Sequence, residues 1–267
     1  MNPRQNKVHA KRAAGGTAMG VNIQTTSPEN VEMAGAAGYD FVIIDCEHGV
    51  MSMDRTIEML RAADATGVTP VVRVPDQAPG SIMRALDAGA MGVIIPGVAT
   101  RAQAEAAVAA AKFRTREAAG ARGACPSTRA NWHLVQDWPS FVRWSNQETM
   151  VWILVESPEG VANIDEILQV PGIDAIVPGP FDLAQAMGRN GDMRDPEVVA
   201  ALEKVVHGAR RRNVETIAVL LASNDADLRE ETAFWRRMGA TAFWVGGDRR
   251  MFTVALRQRM AQVQAGL

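Results

Sequence analysis

Asp45, Glu47 and His48 crowd together at the end of an unbroken apolar run, Phe41-Val42-Ile43-Ile44. Such a run reads as a strand buried on both faces, of the kind parallel sheets use. It delivers three ionisable side chains into a loop that can aim them at a ligand. The alternative is a strand that simply runs into a solvated turn. Other ionisable residues share the placement. Arg73 falls near the end of the stretch 69–74, Glu156 follows 150–155, and Asp182 follows 173–177 by way of Gly179-Pro180-Phe181.

These residue types suggest a particular chemistry. Glu156 and Asp182 form a natural pair of oxygen ligands for a hard divalent cation, Mg²⁺ or Mn²⁺, which keeps positions open for water and substrate. No HExxH motif or clustered imidazoles point to a histidine-ligated zinc. His48 beside Asp45 could act as a base whose tautomer a carboxylate fixes. Arg73 offers a permanent positive charge where an enolate oxygen would develop. Gly179 and Pro180 lead the backbone close to a ligand, and the Phe181 amide could bind a carboxylate. Taken singly, each has a plainer explanation: Arg73 as a surface ion pair, Glu156 as a carboxylate favoured at a helix start. Their common position at strand ends argues for a site.

The elements that must position these groups alternate along the chain. Strand-like runs at 21–24, 41–45, 69–74, 92–96, 150–155, 173–177, 215–221 and 241–245 alternate with helical patterns at about 27–38, 53–66 and 79–88, from 100 onward, from 157 onward, and at about 195–212, 225–238 and 248 onward. Eight such pairs in 267 residues, 47% of them hydrophobic, predict a single (β/α)8 TIM barrel spanning 1–267. In that fold functional side chains lie at the C-terminal ends of the strands, where all the residues above would open onto one face. Residues 1–19 read as a flexible or partly helical extension, basic but without the apolar core of a secretory signal. Residues 114–148 break the rhythm as a long excursion between strands 4 and 5. Its Trp132, Trp138 and Trp144 either anchor it by burial or form a pocket wall or subunit contact.

A net charge of −2 gives no electrostatic case for nucleic acid or an anionic membrane surface, and no apolar run reaches transmembrane length. Two cysteines, Cys46 and Cys125, cannot make a disulfide framework, and a cytoplasmic protein is expected.

The motifs Asp45-x-Glu47-His48-Gly49, Val72-Arg73-Val74-Pro75, Leu86-Asp87-Ala88-Gly89-Ala90, Arg122-Gly123, Val155-Glu156 and Gly179-Pro180-x-Asp182-Leu183 follow one another in the order and spacing of the HpcH/HpaI aldolase family. The resemblance runs from about Gly20 to Asp248 and rests on the combination. It implies a metal-dependent class II aldolase, commonly a hexamer, that cleaves or forms 4-hydroxy-2-oxo acids from pyruvate or a related 2-oxo acid and an aldehyde through a metal-stabilised enolate. By this resemblance Glu156 and Asp182 are the ligands of Mg²⁺, Mn²⁺ or Co²⁺, and Arg73 stabilises the enolate. His48 with Asp45 resembles the base dyad, and Asp87 matches an aspartate that reaches the neighbouring subunit's site; a helix-terminal turn residue is the other reading of Asp87. The departures fall around the substrate. Leu154 stands where many relatives have glutamine, Asn22 where they often have an aromatic residue, and Ala184 where they have serine. Another enolate reaction on the same site, a 2-oxo acid decarboxylase or a C–C bond-forming synthase, is the alternative; a non-catalytic metabolite-binding protein is the alternative of a different class.

Overall fold

In the computed structural model, which describes residues 4–116 and 118–267, eight parallel strands close into a barrel in sequence order. Residues 1–3 of the expected extension and residue 117 of the excursion lie outside the described residues. The strands are β1 (Ala18–Ile23), β2 (Phe41–Asp45), β3 (Thr69–Arg73), β4 (Gly92–Ile95), β5 (Met150–Val155), β6 (Ala175–Pro178), β7 (Glu215–Leu220) and β8 (Ala242–Gly247). The helices are α1 (Lys7–Ala13), α2 (Pro28–Ala36), α3 (Met53–Thr66), α4 (Pro79–Asp87), α5 (Arg101–Ala111), α6 (Trp138–Glu148), α7 (Pro158–Ala162), α8 (Ile164–Ile167), α9 (Pro180–Ala186), α10 (Pro196–Arg211), α11 (Asp225–Met238) and α12 (Asp248–Gln264). The expected (β/α)8 barrel is the observed one. No helix among the described residues is long and apolar enough to cross a membrane.

Strand alternation decides what faces the barrel axis. Phe41, Ile43, Val71, Ile94, Trp152, Leu154, Val177, Ile217, Val219 and Trp244 form one buried cluster inside the barrel. Their neighbours Val42, Ile44, Val72, Val93, Val151, Ile153, Ile176 and Phe243 pack outward, with the helices. Continuing the inward register by one step reaches Asp45 after Ile43, Arg73 after Val71 and Glu156 after Leu154. On β1 the outward residues are Val21 and Ile23, so Gly20 and Asn22 point in.

Gly20 shows why that inward face begins earlier than expected. Phe41 stands edge-on to Trp152, with ring centroids 5.2 Å apart at 86°. A Cβ on Gly20 would lie 2.1 Å from the Phe41 ring. Strand β1 starts at Ala18 rather than at Val21, and its first inward residues, Ala18 and Gly20, are too small to mark a strand in the sequence. We expect Gly20→Ala to lower stability by about 1–3 kcal/mol through overpacking. An unchanged urea midpoint would show that the ring can move aside.

The ends of the barrel differ. At the N-terminal end, Asn6 caps α1 by accepting from the Val8 and His9 amides, and its Nδ2 donates to the Glu148 carbonyl at 2.9 Å. Val8 inserts into the inner cluster and closes that end. Within the excursion, α6 and a 3-10 turn, Arg129–Asn131, were not foreseen. Trp138 and Trp144 are half-buried against Phe113 and Phe141, whereas Trp132 is exposed beneath Arg4. On β6 the strand begins at Ala175, later than expected. Helix α12 carries no buried residue, and its Met251, Phe252, Leu256, Met260 and Val263 are exposed.

Candidate active site

A cleft of about 450 Å3 opens at the C-terminal ends of the strands, and its walls include Asn22, His48, Arg73, Leu154, Glu156, Gly179, Pro180, Phe181 and Asp182. Asp45 lies beneath it, fully buried. One Asp45 oxygen accepts from Arg73 Nε at 2.9 Å and from the Glu47 and His48 amides, each at 3.1 Å. The other accepts from Arg73 Nη2, from Asn22 Nδ2 at 3.2 Å and from Gln24 Nε2 at 3.1 Å. Burial alone would raise this carboxyl, but the hydrogen bonds and charge of Arg73, with Asn22 and the His48 amide, hold it below its ordinary value.

Asp45 thus differs from its expected part in a His–Asp dyad. It meets His48 through the backbone amide, and six donors leave it no lone pair for the imidazole. The His48 side chain is instead 59% exposed, with Nε2 3.9 Å from a Glu47 oxygen. Asp45 orients Arg73 and fixes the turn that carries His48. Arg73 itself is 7% exposed, pairs with Glu47 through Nη1 at 3.1 Å and stacks over the Trp244 ring at 5.2 Å. Asp45 takes the Nε and Nη2 edge and Glu47 lies beside Nη1, which leaves N–H groups of the two terminal nitrogens for a ligand.

Across the cleft, β5 presents Glu156. The Gly97 amide donates to its Oε1 at 2.8 Å. Its carboxyl is nevertheless pushed up to about 7, by burial first and then by the negative charges of Glu47 and Asp182. Glu47 is raised as well, again mainly by burial, and its Oε2, although it makes the ion pair with Arg73, is buried without a geometrically sound hydrogen bond among the described residues. Asp182 comes from the first turn of α9, where Pro180 occupies a position that has no N–H to satisfy. Gly179 is required by close approach, since a Cβ there would lie 2.6 Å from Glu156 Cβ. Phe181 is exposed, and its amide falls in the helix turn that lacks internal acceptors.

The negative charges of Glu47 and Asp182 thus bear on Glu156, and the Arg73 guanidinium beside them is paired with Asp45 and Glu47. Among the described residues no group of three or more His, Cys, Asp or Glu side chains is placed to hold a metal ion, so a cation here would take two protein carboxylates and fill its remaining positions from water or substrate. Surplus negative charge on hard oxygen donors at an open site fits a divalent cation that keeps water or substrate in its shell.

Asn22 is buried and donates to Asp45, which leaves its amide oxygen buried with no donor among the described residues. Leu154 forms an apolar patch beneath Glu156. Asp87 is not brought to this cleft within one chain. It ends α4 at the opposite end of the barrel, where it accepts from Arg122 Nη2 at 2.7 Å, and Arg122 stacks on Phe113 at 4.5 Å. Gln24, Gly97, Trp244 and Arg250 were missed as site residues. Gln24 is the next inward step after Asn22, so period-2 counting carried past the strand end could have found it.

Residues 18–250 match the family described as HpcH/HpaI aldolase/citrate lyase. The chain is 34% identical over 254 residues to 5-keto-4-deoxy-D-glucarate aldolase of Shigella dysenteriae serotype 1, covering 95% of this chain and 94% of that one. Among solved structures, it resembles an HpcH/HpaI aldolase/citrate lyase family protein from Burkholderia cenocepacia J2315, with TM-score 0.88 at 30% identity over 97% of this chain and all (100%) of that one. It also resembles the citrate synthase SbnG, with TM-score 0.85 at 28% identity over 98% and 99% of the two chains. The chain belongs to the HpcH/HpaI aldolase/citrate lyase family.

Proposed function

We propose that this protein is a divalent-metal-dependent aldolase, a carbon–carbon lyase that cleaves or forms 4-hydroxy-2-oxo acids. The observation that carries the mechanism is the meeting, in one cleft, of a carboxylate-rich cation site with an arginine locked in place by Asp45. Glu156 and Asp182 hold the metal, Mg²⁺ or Mn²⁺ first and Co²⁺ as a third choice. A bound cation supplies Lewis acidity toward the oxygens of the 2-oxo acid.

The chain's own groups do the rest. His48, exposed at the cleft wall, takes the proton of the C4 hydroxyl. The C3–C4 bond then breaks: its electron pair passes to C3 and the enolate, and C4 leaves as an aldehyde. Arg73 balances the charge that develops on the enolate oxygen, in a site whose geometry Asp45, Glu47 and Trp244 fix beforehand. Return to C3 of the proton that left the C4 hydroxyl gives pyruvate and restores neutral His48. Gly179, Pro180 and the Phe181 amide line the carboxylate end, and the bare oxygen of Asn22 accepts a hydrogen bond from a substrate hydroxyl.

Helix α12, with apolar side chains exposed along its length, supports a homo-oligomer, proposed as a hexamer, in which Asp87 reaches a neighbour's site. Cytoplasmic placement belongs to the same proposal, supported by two free cysteines.

The test is metal-dependent release of pyruvate from 4-hydroxy-2-oxopentanoate, followed by a lactate dehydrogenase couple. Release that disappears with a chelator and returns with Mg²⁺ or Mn²⁺ is expected. The likeness to a citrate synthase favours a second reading, in which the same enolate is added to a 2-oxo acid. Product analysis with pyruvate and oxaloacetate separates addition from decarboxylation and from aldol cleavage.

A further inference from the structure

We infer that Asn190 is a site of spontaneous covalent modification, which converts it through a cyclic imide to aspartate and isoaspartate. The isoaspartyl form loosens the loop behind Phe181. The inference stands apart from the aldolase reading.

Asparagine is a thermolabile residue. Its decay needs its own carboxamide unengaged and the next residue's backbone N–H free to reach it. Every described asparagine but two has its side chain hydrogen-bonded. The two are Asn190 and Asn213, both exposed, with φ of +51° and +55°. The residue that follows separates them. Val214 is branched, and its amide donates to the Ala209 carbonyl at 3.0 Å. Gly191 has no Cβ to shield its amide, which meets no acceptor among the described residues.

Asn190 and Gly191 are the central residues of a turn closed by the Asp192 amide, which donates to the Arg189 carbonyl at 2.9 Å. Both have positive φ, +51° and +75°, the type I′ arrangement that an Asn-Gly pair favours. Asn190 is an L-residue in the left-handed region, and that single hydrogen bond closes the turn, so local opening is easy. In the opened turn the Gly191 nitrogen gives its proton to hydroxide and attacks the Asn190 side-chain carbonyl carbon. The bond from that carbon to the side-chain NH₂ breaks, and the NH₂ takes a proton from water and leaves as ammonia. Water then opens the ring at either carbonyl, which leaves aspartate or isoaspartate.

Isoaspartate routes the main chain through its side chain and lengthens it by one methylene. The turn can no longer close on the same hydrogen bond. Gly191 lies against Phe181, since a Cβ there would come 2.7 Å from the ring. Phe181 lines the cleft beside Asp182, so the altered loop withdraws support from the cleft wall.

The test holds the folded wild type in warm alkaline buffer and maps its peptides over time. A gain of one mass unit, with label from an isoaspartyl methyltransferase, should accumulate at Asn190 at least about tenfold faster than at Asn213. Asn190→Ser should lose the label from that peptide. Amide hydrogen exchange over 189–192 should be at least about tenfold faster in isoaspartyl protein than in unmodified protein. Protein unfolded in urea, where Asn190 is unprotected, shows that the assay detects the conversion. Folded protein that keeps Asn190 intact, or converts it less than tenfold faster than Asn213, overturns the inference. Isoaspartyl protein whose loop exchanges no faster overturns its second half.

Discussion

Replacing Asp45 by asparagine is expected to lower stability by about 3–5 kcal/mol and enolate formation by about 100-fold. The carboxylate is fully buried and accepts from six donors. An amide of the same shape turns one oxygen into an NH₂ group that meets donors, and it leaves Arg73 buried with its main counter-charge gone. The folded carboxyl lies below its ordinary value, so its contribution to stability is complete above the unfolded carboxylate range. That contribution is lost as pH falls through the folded value. The gap between wild type and variant should accordingly narrow in acid. Urea unfolding at neutral and acid pH measures this. A variant within about 1 kcal/mol of wild type at pH 7 would show that Arg73 finds other support.

Glu156→Gln should have the opposite sign on stability and a larger effect on chemistry. In chelator the variant is expected to be at least as stable as wild type, because burial and the charges of Glu47 and Asp182 already push the native carboxyl up to about 7. With metal present it should lose exchange of pyruvate methyl protons by about 1,000-fold or more, since a Lewis-acid site supplies several kcal/mol to the transition state. Metal should raise the melting temperature of wild type and not of the variant. If the variant were both destabilised in chelator and still activated by metal, Glu156 would be a structural residue and the cation would sit elsewhere.

Much of this site could be read from residue order because a parallel barrel converts sequence into position. The buried runs at β2 and β5 are apolar on both faces, and their first polar residue marks the mouth. That is how Asp45 and Glu156 stood out, and Arg73 and Asp182 followed from the same logic. What stayed hidden depends on partners distant in sequence. Asp45 looked like the natural mate of His48, three residues away, yet its side chain is claimed by Arg73, Asn22 and Gln24 from neighbouring strands. Trp244 carries no local mark of its place beneath the Arg73 guanidinium, a contact between β8 and β3. The early start of β1 was masked because Gly20 is shaped by a ring on β2, a cross-strand fact with no local signature. Asp87 and α12 look outward from a single chain, and the length of an apolar pattern does not say what covers it.

The most direct test of the account is pyruvate methyl-proton exchange in D₂O, followed by NMR after chelator treatment and again with Mg²⁺, Mn²⁺ or Co²⁺ restored. It asks about the enolate step without requiring the aldehyde to be known. The account predicts no exchange above background in chelator and rapid exchange on return of at least one metal. Folded protein that exchanges no protons with any of the three, or that exchanges them equally well in chelator, would contradict it.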